Sequence, residues 1–373
     1  MKHLFLFASL LMSSSLLAQD FELKSSNRYI FGVHKDRTAS LSIGDIDGDG
    51  DKDVVIANGR HWPQQNQVFF NEGRGRFTLS QPLDITSETS YATELGDLDG
   101  DGDLDVAVGN DNAPNMLYFN DGSGNFTRGA SFGKRYSSTR NITLADIDQD
   151  GDIDILITNR GQQNEICLND GEGNFAAPIG FGDKRDSTID VEVADMDGDG
   201  DMDLILANRD KQQNNIYLND GQMNFNTTIS FGTGKDETRA VAIGDINNDG
   251  FPDIITANIG RANYIYLGDK DLGFKNEIKY DNATHNSFSV TLSDMDMDGD
   301  LDIVVANTGA RNAVFINNGM GELWDKISIG NPKHQTYDIQ VGDLNSDARP
   351  DIAEANSDEM NVFYLNFAKS NRP

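Results

Sequence analysis

Seven segments of the chain repeat one acidic pattern, in which Asp or Asn stands at positions 1, 3, 5 and 9 of nine residues. They span residues 45–53, 97–105, 146–154, 195–203, 245–253, 294–302 and 343–351. Oxygens spaced this closely suit calcium, which takes six to eight hard ligands, and the backbone carbonyl of position 7 adds one more. Position 6 is Gly in six segments, and Gly permits the positive φ that folds the ligands inward. The pattern therefore predicts calcium-binding loops.

The candidate ligands are the side chains at positions 1, 3, 5 and 9 and the carbonyl of position 7 in each loop. Loop by loop, these residues are Asp45, Asp47, Asp49, Asp51 and Asp53; Asp97, Asp99, Asp101, Asp103 and Asp105; Asp146, Asp148, Asp150, Asp152 and Asp154; Asp195, Asp197, Asp199, Asp201 and Asp203; Asp245, Asn247, Asp249, Phe251 and Asp253; Asp294, Asp296, Asp298, Asp300 and Asp302; and Asp343, Asn345, Asp347, Arg349 and Asp351. The seventh loop also has Ala348 where Gly is expected, and Ala at positive φ costs on the order of 1 kcal/mol. We predict up to seven Ca²⁺ ions, with the seventh site the weakest.

The net charge of −31 is concentrated in these loops. They contain 31 of the 61 acidic residues, and the 30 acids outside them equal the 30 Lys and Arg residues in number. The acidity is therefore ligand charge rather than the mark of a disordered or halophilic chain. Sites closed by protein ligands leave no open position for chemistry, so we interpret the ions as structural.

The loops begin 49 to 52 residues apart, and a fixed period of this size indicates a repeat array. Each unit contains four strand-like runs, such as SLSIG before the loop, DVVIAN after it, then QVFFN and finally NFTRGASFG. Asn-Asp-Gly and other Gly-rich turns separate the runs. Since no segment has helical periodicity, the sequence predicts an all-β fold, a seven-bladed β-propeller of four-stranded antiparallel blades.

The two ends of the chain predict how the ring closes. The seventh unit has three strands and stops near Phe367, whereas the segment FELKSSNRYIFG at residues 21–32 precedes the first unit. We predict that this N-terminal segment joins the last blade as its fourth strand, which hides the sheet edges of an open array. The propeller would then span residues 21–367, followed by a short tail at 368–373.

The units resemble FG-GAP/VCBS repeats, which build the integrin α-subunit propeller. The FG signature stands at Phe31-Gly32, Phe132-Gly133, Phe181-Gly182 and Phe231-Gly232, and other residues replace it at Leu83, Tyr280 and Ile329. The resemblance covers essentially the whole chain after its first residues. It implies calcium on one face of the disc and ligand binding on the opposite face, and it does not imply an enzyme. Integrin function is not carried over.

Residues 1–18 are typical of a secretory signal peptide. Lys2 and His3 precede an apolar run that is too short to span a bilayer, and Ala18 stands where a signal peptidase would cut. The single cysteine, Cys167, excludes a disulfide framework, and we expect it to be a buried, inert side chain. We expect an exported, extracellular or periplasmic monomer with no transmembrane segment and no nucleic-acid partner.

The loops expected on the face opposite the acidic loops are rich in basic residues. They contain 16 of the 30 Lys and Arg residues, namely Lys35, Arg37, Arg60, Lys134, Arg135, Arg140, Arg160, Lys184, Arg185, Arg209, Lys211, Lys235, Arg239, Arg261, Arg311 and Lys333. Loops on a rigid scaffold commonly carry function, and a basic face would attract an anionic ligand such as an acidic polysaccharide. Arg140, Arg185 and Arg239 are the residues that we expect to pair with its carboxylates or sulfates.

Histidine and aromatic residues add a second candidate site on this face. His34, His61, His285 and His334 all fall in these loops, in blades six, seven and one, with Trp62, Tyr91, Phe288 and Tyr337 nearby. The first hypothesis is a binding or adhesion module for carbohydrate or another anionic ligand, and a calcium-dependent protein-interaction scaffold is also open. The alternative is a polysaccharide lyase for uronic-acid glycans, with His61 or His334, Tyr91 or Tyr337, and Arg140 or Arg239 as its catalytic groups.

Two further positions are polar in every unit. Thr or Ser stands seven residues before each acidic loop, and Asn follows each second strand. Because all seven units share these residues, we expect them to make turn hydrogen bonds rather than to bind one ligand.

Overall fold

The computed structural model describes residues 21–274, 277–319, 321 and 324–369. This part of the chain forms 29 β-strands and no helix, and it therefore has no helix that could cross a membrane. The all-β prediction is confirmed. The predicted signal peptide at residues 1–18 lies outside the described residues, as do residues 370–373 of the predicted tail.

The strands form seven antiparallel sheets, each corresponding to one blade. The innermost strands of blades one to seven are β3 (Thr38–Gly44), β7 (Ser90–Gly96), β11 (Thr139–Ala145), β15 (Thr188–Ala194), β19 (Thr238–Gly244), β23 (Asn286–Ser293) and β27 (Thr336–Gly342). The second strands are β4 (Asp53–Asn58), β8 (Asp105–Asn110), β12 (Asp154–Asn159), β16 (Asp203–Asn208), β20 (Asp253–Asn258), β24 (Asp302–Thr308) and β28 (Asp351–Asn356).

The outer strands complete each blade. The third strands are β5 (Gln67–Phe70), β9 (Asn115–Asn120), β13 (Asn164–Cys167), β17 (Asn214–Leu218), β21 (Asn263–Tyr266), β25 (Asn312–Asn317) and β29 (Asn361–Ala368). The fourth strands of blades one to six are β6 (Leu79–Pro82), β10 (Phe126–Phe132), β14 (Ile179–Phe181), β18 (Thr227–Phe231), β22 (Glu277–Asp281) and β26 (Trp324–Ile329).

The N-terminal segment supplies the fourth strand of blade seven, as predicted. It does so in two pieces, β1 (Phe21–Lys24) and β2 (Ile30–Phe31), which both pair antiparallel with β29. The inner strand β27 of blade seven also contacts β3 of blade one, so the ring is closed at this junction. Strand β29 runs to Ala368, one residue beyond the predicted end of the propeller.

The core lies between blades rather than inside one of them. Every residue of each second strand is buried, because the strand is covered on both faces by neighbouring blades. This explains why the residues between the first Asp and the closing Asn are mostly apolar instead of alternating, with Glu354 as a charged exception. Cys167 is a free thiol buried in one of these interfaces, beside Leu117, Phe132 and Ile155, and the predicted apolar role fits this position.

A belt of hydrogen bonds links the blades at the face opposite the acidic loops at every junction except that of blades two and three, where Asn115 Nδ2 has no partner among the described residues. The Asn66 side chain donates from Nδ2 to Ser90 Oγ of the next blade over 2.9 Å, and that hydroxyl donates to Asn110 Oδ1 over 2.8 Å. The same step joins blade seven to blade one through Asn361 and Thr38, at 3.0 Å. The repeated Thr, Ser and Asn residues therefore have a structural role. Each repeated Asn also donates from Nδ2 to a carbonyl of the turn that follows it, as Asn110 does to Pro114 over 2.8 Å, so the predicted turn hydrogen bonds accompany the bonds between blades.

Closure at the seam depends on Phe31, which is 2% exposed and contacts the rings of Phe69, Phe77 and Phe363. We expect Phe31→Ala to lower the free energy of unfolding by about 3–5 kcal/mol, because it leaves a cavity between blades seven and one. Urea unfolding of the purified chain measures this loss. Phe251→Ala is the control, since Phe251 is 38% exposed, and equal losses in both variants would contradict this role for Phe31.

Candidate functional site

The two faces of the disc carry different loops. The acidic loops connect each innermost strand to the second strand of the same blade, so all seven lie on one face. The connections from second to third strands, and from each fourth strand to the next blade, lie on the opposite face. Candidate metal sites and candidate ligand-binding residues are thus separated by the height of the blades, as the sequence predicted.

The backbone of the acidic loops is left-handed at two positions. Position 6 has φ between 90° and 99° at its six Gly residues and 65° at Ala348. Position 4 also has a positive φ, between 59° and 78°, although Gln149, Asn248, Met297 and Ser346 occupy it in four loops. The strain at Ala348 was predicted from the sequence, whereas the second left-handed position was not.

Five of the seven loops gather three carboxylates closely enough to hold a metal ion. Their carboxylate oxygens lie within 4.8 Å of one another in the first, second, third, fourth and sixth loops. In four of these loops one buried oxygen, on Asp45, Asp99, Asp146 or Asp296, has no hydrogen-bond partner among the described residues. Burial and the neighbouring Asp49 also raise the pKa of Asp47. Unpaired, crowded carboxylate oxygens of this kind fit a hard cation such as calcium.

The Asp at position 9 has a second role that the sequence did not reveal. Asp53 is fully buried, and its Oδ2 accepts the amide of Ile46 at 2.9 Å while Oδ1 accepts the amide of Asn71 at 2.8 Å. Burial raises its pKa to about 6. The corresponding two amides bind the position-9 Asp in every loop. Each oxygen keeps a lone pair, so these residues can still ligate an ion, but they primarily hold the loop closed.

The fifth and seventh loops are less suited to a cation. In the fifth, the Asn247 amide donates to Asp249 Oδ2 over 3.0 Å, which occupies an oxygen that the metal would use. In the seventh, Asn345 replaces the position-3 Asp, which removes one ligand charge, and Ala348 replaces the position-6 Gly. Neither loop forms a group of three clustered carboxylates in this part of the chain. We therefore propose that the fifth loop, like the seventh, binds calcium more weakly than the other five loops.

Side chains at position 4 connect neighbouring loops. Ser346 donates to Asp51 Oδ1 over 2.6 Å, Asn248 donates to Asp300 Oδ1 over 2.8 Å, and Gln149 donates to the Gly200 carbonyl over 2.6 Å. These contacts join loop seven to loop one, loop five to loop six and loop three to loop four.

We expect Ala348→Gly to tighten calcium binding at the seventh loop by about fivefold, since removing the Cβ relieves on the order of 1 kcal/mol at positive φ. Gly50→Ala should weaken the first loop by a similar factor, because its φ is 94°. A calcium titration followed by NMR at the amides of residues 49–51 and 347–349 measures both loops separately. A seventh loop that binds more weakly in Ala348→Gly than in the parent would contradict this explanation.

On the opposite face, seven side chains gather around the opening of the central channel. We call them the mouth cluster, and they are Arg60, His61, Tyr91, Arg140, Arg239, Phe288 and Tyr337. Five of them line the channel wall, from the second or third residue of an innermost strand, and Arg60 and His61 come from the loop after β4. The sequence predicted that most of these residues lie on the same face, and the structure shows that they are in contact.

His61 and Tyr91 form the centre of the mouth cluster. The Tyr91 hydroxyl lies 2.8 Å from His61 Nδ1, and Arg60 approaches His61 Nε2 at 3.2 Å. Arg60 can only donate, so Nε2 accepts, Nδ1 carries the proton, and the Tyr91 oxygen accepts it. The Tyr91 O–H is then free to donate to a ligand. Burial, followed by the charge of Arg60, lowers the pKa of His61, which favours this neutral form.

The three arginines of the mouth cluster are held by aromatic rings. The Arg60 guanidinium lies 3.8 Å from the Tyr337 ring centroid, that of Arg140 lies 4.4 Å from Tyr91, and that of Arg239 lies 5.7 Å from Phe288. Arg140 also forms an ion pair with Asp111 at 2.9 Å. Burial lowers the pKa of Arg239 to about 10, so it stays charged at neutral pH. Stacked guanidinium groups are fixed in orientation and suit carboxylate or sulfate recognition.

Much of the remaining basic charge on this face is compensated by acids. Ion pairs join Lys35 to Glu359, Arg37 to Asp358, Lys134 to Glu165, Arg160 to Asp210 and Arg209 to Glu237, over 2.5–3.8 Å. The sequence could not reveal these pairs, because each depends on which loops adjoin. This face is therefore less basic than the count of Lys and Arg residues indicates.

The other predicted histidines lie away from this centre. His334 Nδ1 is 3.7 Å from Oε2 of the buried Glu354, and His34 lines a cleft between the N-terminal segment and blade one. Trp62 is 63% exposed beside Arg37. Of the candidate catalytic groups, the structure brings together His61, Tyr91, Tyr337, Arg140 and Arg239, but it gives His334 a different neighbour.

We expect Arg60→Gln to raise the pKa of His61, because it removes a positive charge that opposes protonation of the imidazole. NMR titration of the histidine ring protons measures the change, with His34, His285 and His334 as internal references. Arg261→Gln is the matched control, since Arg261 occupies the equivalent loop of blade five. If the pKa of His61 is the same in Arg60→Gln as in the parent, the contact between Arg60 and His61 is contradicted.

The fold and the repeated loops define a seven-bladed repeat propeller, and the sequence comparison gives its family. The chain matches the FG-GAP-like repeat over residues 45–108, 97–157, 146–206, 195–256, 245–305 and 294–353. These matches cover most of its length, and the chain therefore belongs to the FG-GAP-like repeat family, with an integrin-like propeller. No curated protein sequence matches it.

Solved structures agree on the fold. The chain is similar to the crystal structures of BBS1N in complex with ARL6DN, one soaked with mercury at a TM-score of 0.60 and one soaked with lead at 0.62. Sequence identity is 12% in both, and each alignment covers 90% of this chain and 93% of that chain. At this identity the likeness shows the propeller architecture alone.

Proposed function

We propose that this FG-GAP propeller is an exported, calcium-loaded binding module that holds an anionic ligand, in the first instance an acidic carbohydrate, at the mouth cluster. Membership of the family suggests a binding or protein-interaction module. The observation that carries the finer proposal is the set of three arginines stacked on Tyr91, Phe288 and Tyr337. Arginine fixes carboxylates or sulfates, and neighbouring aromatic rings offer apolar faces to a sugar.

Binding is favoured over the lyase alternative by the hydrogen bonds of His61. A lyase base needs a free lone pair facing the substrate, but Nε2 of His61 already accepts from Arg60 and Nδ1 carries the proton. Tyr91 retains a free O–H, and burial raises its pKa, so it can donate but is a poor base. The contact between His61 and Tyr91 is the feature that keeps a lyase as the second candidate.

We expect acidic polysaccharides to bind the parent chain in calcium and to release it as salt rises, since exposed charge pairs are screened within about 10 Å at 0.1 M. Glycan arrays and calorimetry with alginate, polygalacturonate and heparin test this. Arg60→Gln with Arg239→Gln should weaken binding at least tenfold, whereas Arg261→Gln with Arg311→Gln, in equivalent loops of blades five and six, should not. Equal affinity of both pairs would remove the mouth cluster as the site, and capture of a protein instead of a glycan would favour the scaffold hypothesis.

The lyase candidate has its own readout. Cleavage of uronic-acid glycans by elimination produces unsaturated ends that absorb in the ultraviolet, and the parent chain can be assayed for them directly. If a lyase is present, Tyr91→Phe should abolish product formation while binding persists. Activity that survives in both Tyr91→Phe and His61→Gln would leave that candidate without its catalytic groups.

Calcium is the second part of the proposal. Carboxylates crowded into each loop repel one another without a cation, so removal of the metal should destabilise the fold. We expect excess chelator to lower the melting temperature by well over 5 °C, and restored calcium to reverse the change. Mass spectrometry of the metal content confirms that calcium has been removed. A melting temperature that is unchanged after this removal would contradict a structural role for the ions.

A further inference from the structure

The central channel contains carboxylates that neither the acidic loops nor the mouth cluster uses. It encloses about 380 Å³ between the seven innermost strands, and its wall includes Glu94, Asp190, Glu192 and Asp338. A space of this size holds roughly ten water molecules at about 30 Å³ each. Partly buried carboxylates this close together are costly unless water, a protein donor or a cation compensates their charge.

Two of the four have partners within the protein. Asp190 accepts hydrogen bonds from Asn141 Nδ2 at 2.6 Å and from the Val241 amide at 3.0 Å, and so ties blade four to blades three and five. Asp338 accepts from Ser289 Oγ at 2.8 Å and from the Leu41 amide at 3.1 Å, and so ties blade seven to blades six and one. These aspartates are structural links between innermost strands.

Glu94 and Glu192 have no such partners among the described residues. Glu94 is the fifth residue of β7 and Glu192 the fifth residue of β15, so the two lie at the same height in the channel, two blades apart. Only burial and other carboxylates act on them: Asp338 and Asp190 on Glu94, and Asp190 and Glu94 on Glu192. Burial raises the pKa of Glu94 to about 8 and that of Glu192 well above its usual range.

The arginines nearest the channel do not compensate these two glutamates. Arg140 is paired with Asp111 outside the channel wall. The charges that act on Arg239 are those of Asp190, Arg209, Asp338 and Arg140, and not those of the two glutamates. When both are ionised, these two uncompensated carboxylates together equal the charge of one divalent cation, so binding of the cation would displace their protons. Thr143 and Gln340, at the same height, add neutral oxygens to the wall.

We propose that a hydrated divalent cation of the magnesium type binds in the central channel between Glu94 and Glu192. Such a cation dehydrates reluctantly and is commonly held by one or two carboxylates through retained water, which fits two glutamates facing a water-sized space. The site differs from the acidic loops, where several carboxylates crowd around one point and suit direct calcium ligation. It is independent of the proposed glycan site.

A second cavity beside the channel offers a candidate route of entry from the acidic face. This cavity of about 360 Å³ reaches Glu192 from this side, and Asp146 and Gln149 of the third loop line it. A cation attracted by the acidic loops can thus reach the lower end of the channel without passing the arginines of the mouth cluster. The negative charge of the acidic loops raises the local concentration of cations at this face.

The test is equilibrium dialysis of the full chain against MgCl₂ in saturating calcium, with both metals counted by mass spectrometry. We expect the parent to bind one Mg²⁺ that Glu94→Gln with Glu192→Gln does not, and the saturable rise of the melting temperature with Mg²⁺ to be at least tenfold weaker in this double variant. Each single variant should give an intermediate response. Glu277→Gln, the same exchange at an exposed strand residue, is the matched control and should resemble the parent.

Two results would overturn the proposal. If the parent and the double variant bind equal amounts of Mg²⁺, the ion occupies the acidic loops and not the channel. If the double variant melts higher than the parent while neither responds to Mg²⁺ in saturating calcium, Glu94 and Glu192 share protons and hold no cation. Because both substitutions replace a carboxylate by an amide of the same shape, a folded double variant is expected, and the single variants provide the same comparison if it does not fold.

Discussion

The buried Asp at position 9 of each acidic loop is the interaction on which the rest of the ring depends. In the first loop, Asp53 accepts the Ile46 amide from its own loop and the Asn71 amide from the end of the third strand. Asn71 in turn donates from Nδ2 to the Leu344 carbonyl of the previous blade over 2.8 Å. One carboxylate therefore positions the loop, the third strand of its blade and the contact with the previous blade together. A buried carboxylate has this influence because an oxygen left without a hydrogen bond destabilises the fold by more than a formed hydrogen bond stabilises it.

The sevenfold frame makes differences between blades informative. Equivalent positions of the innermost strands face the same channel, so a charge in one blade stands out against small or apolar residues in the others. At the second position, Arg140 and Arg239 stand beside Tyr91 and Tyr337, whereas blade one has Ala39 there. The structural positions, such as the Asn and Ser or Thr residues of the inter-blade belt, are nearly identical in all blades. Residues that differ between equivalent positions of the blades are therefore candidates for ligand binding, whereas residues shared by all blades stabilise the fold.

Most of the architecture could be predicted from the sequence because the repeat fixes it. The seven loops, the four strands per blade and the closing N-terminal strand all follow from period and pattern. What the sequence could not give depends on contacts between distant segments: the partner of Arg140, the approach of Arg60 to His61, and the amides that bind Asp53. The split of the closing strand into β1 and β2 was also missed, although Ser25, Ser26 and Asn27 are turn-forming residues and the Tyr29 amide donates to the Ser26 carbonyl at the break. The left-handed position 4 was missed for a different reason, because residues as unlike as Met297 and Ser346 occupy it.

The two faces act on each other through the innermost strands that join them. The acidic loop of each blade begins where the innermost strand ends, and the mouth cluster begins where the same strands start. A metal ion bound in a loop would therefore fix the lower end of the strand, and the belt of Asn and Ser or Thr residues fixes its upper end in every blade except blade three. Arg140, Arg239 and the aromatic rings keep their mutual orientation only if both ends are held. Calcium would then contribute to ligand binding without contacting the ligand, by reducing the number of arrangements open to the mouth cluster before a ligand arrives.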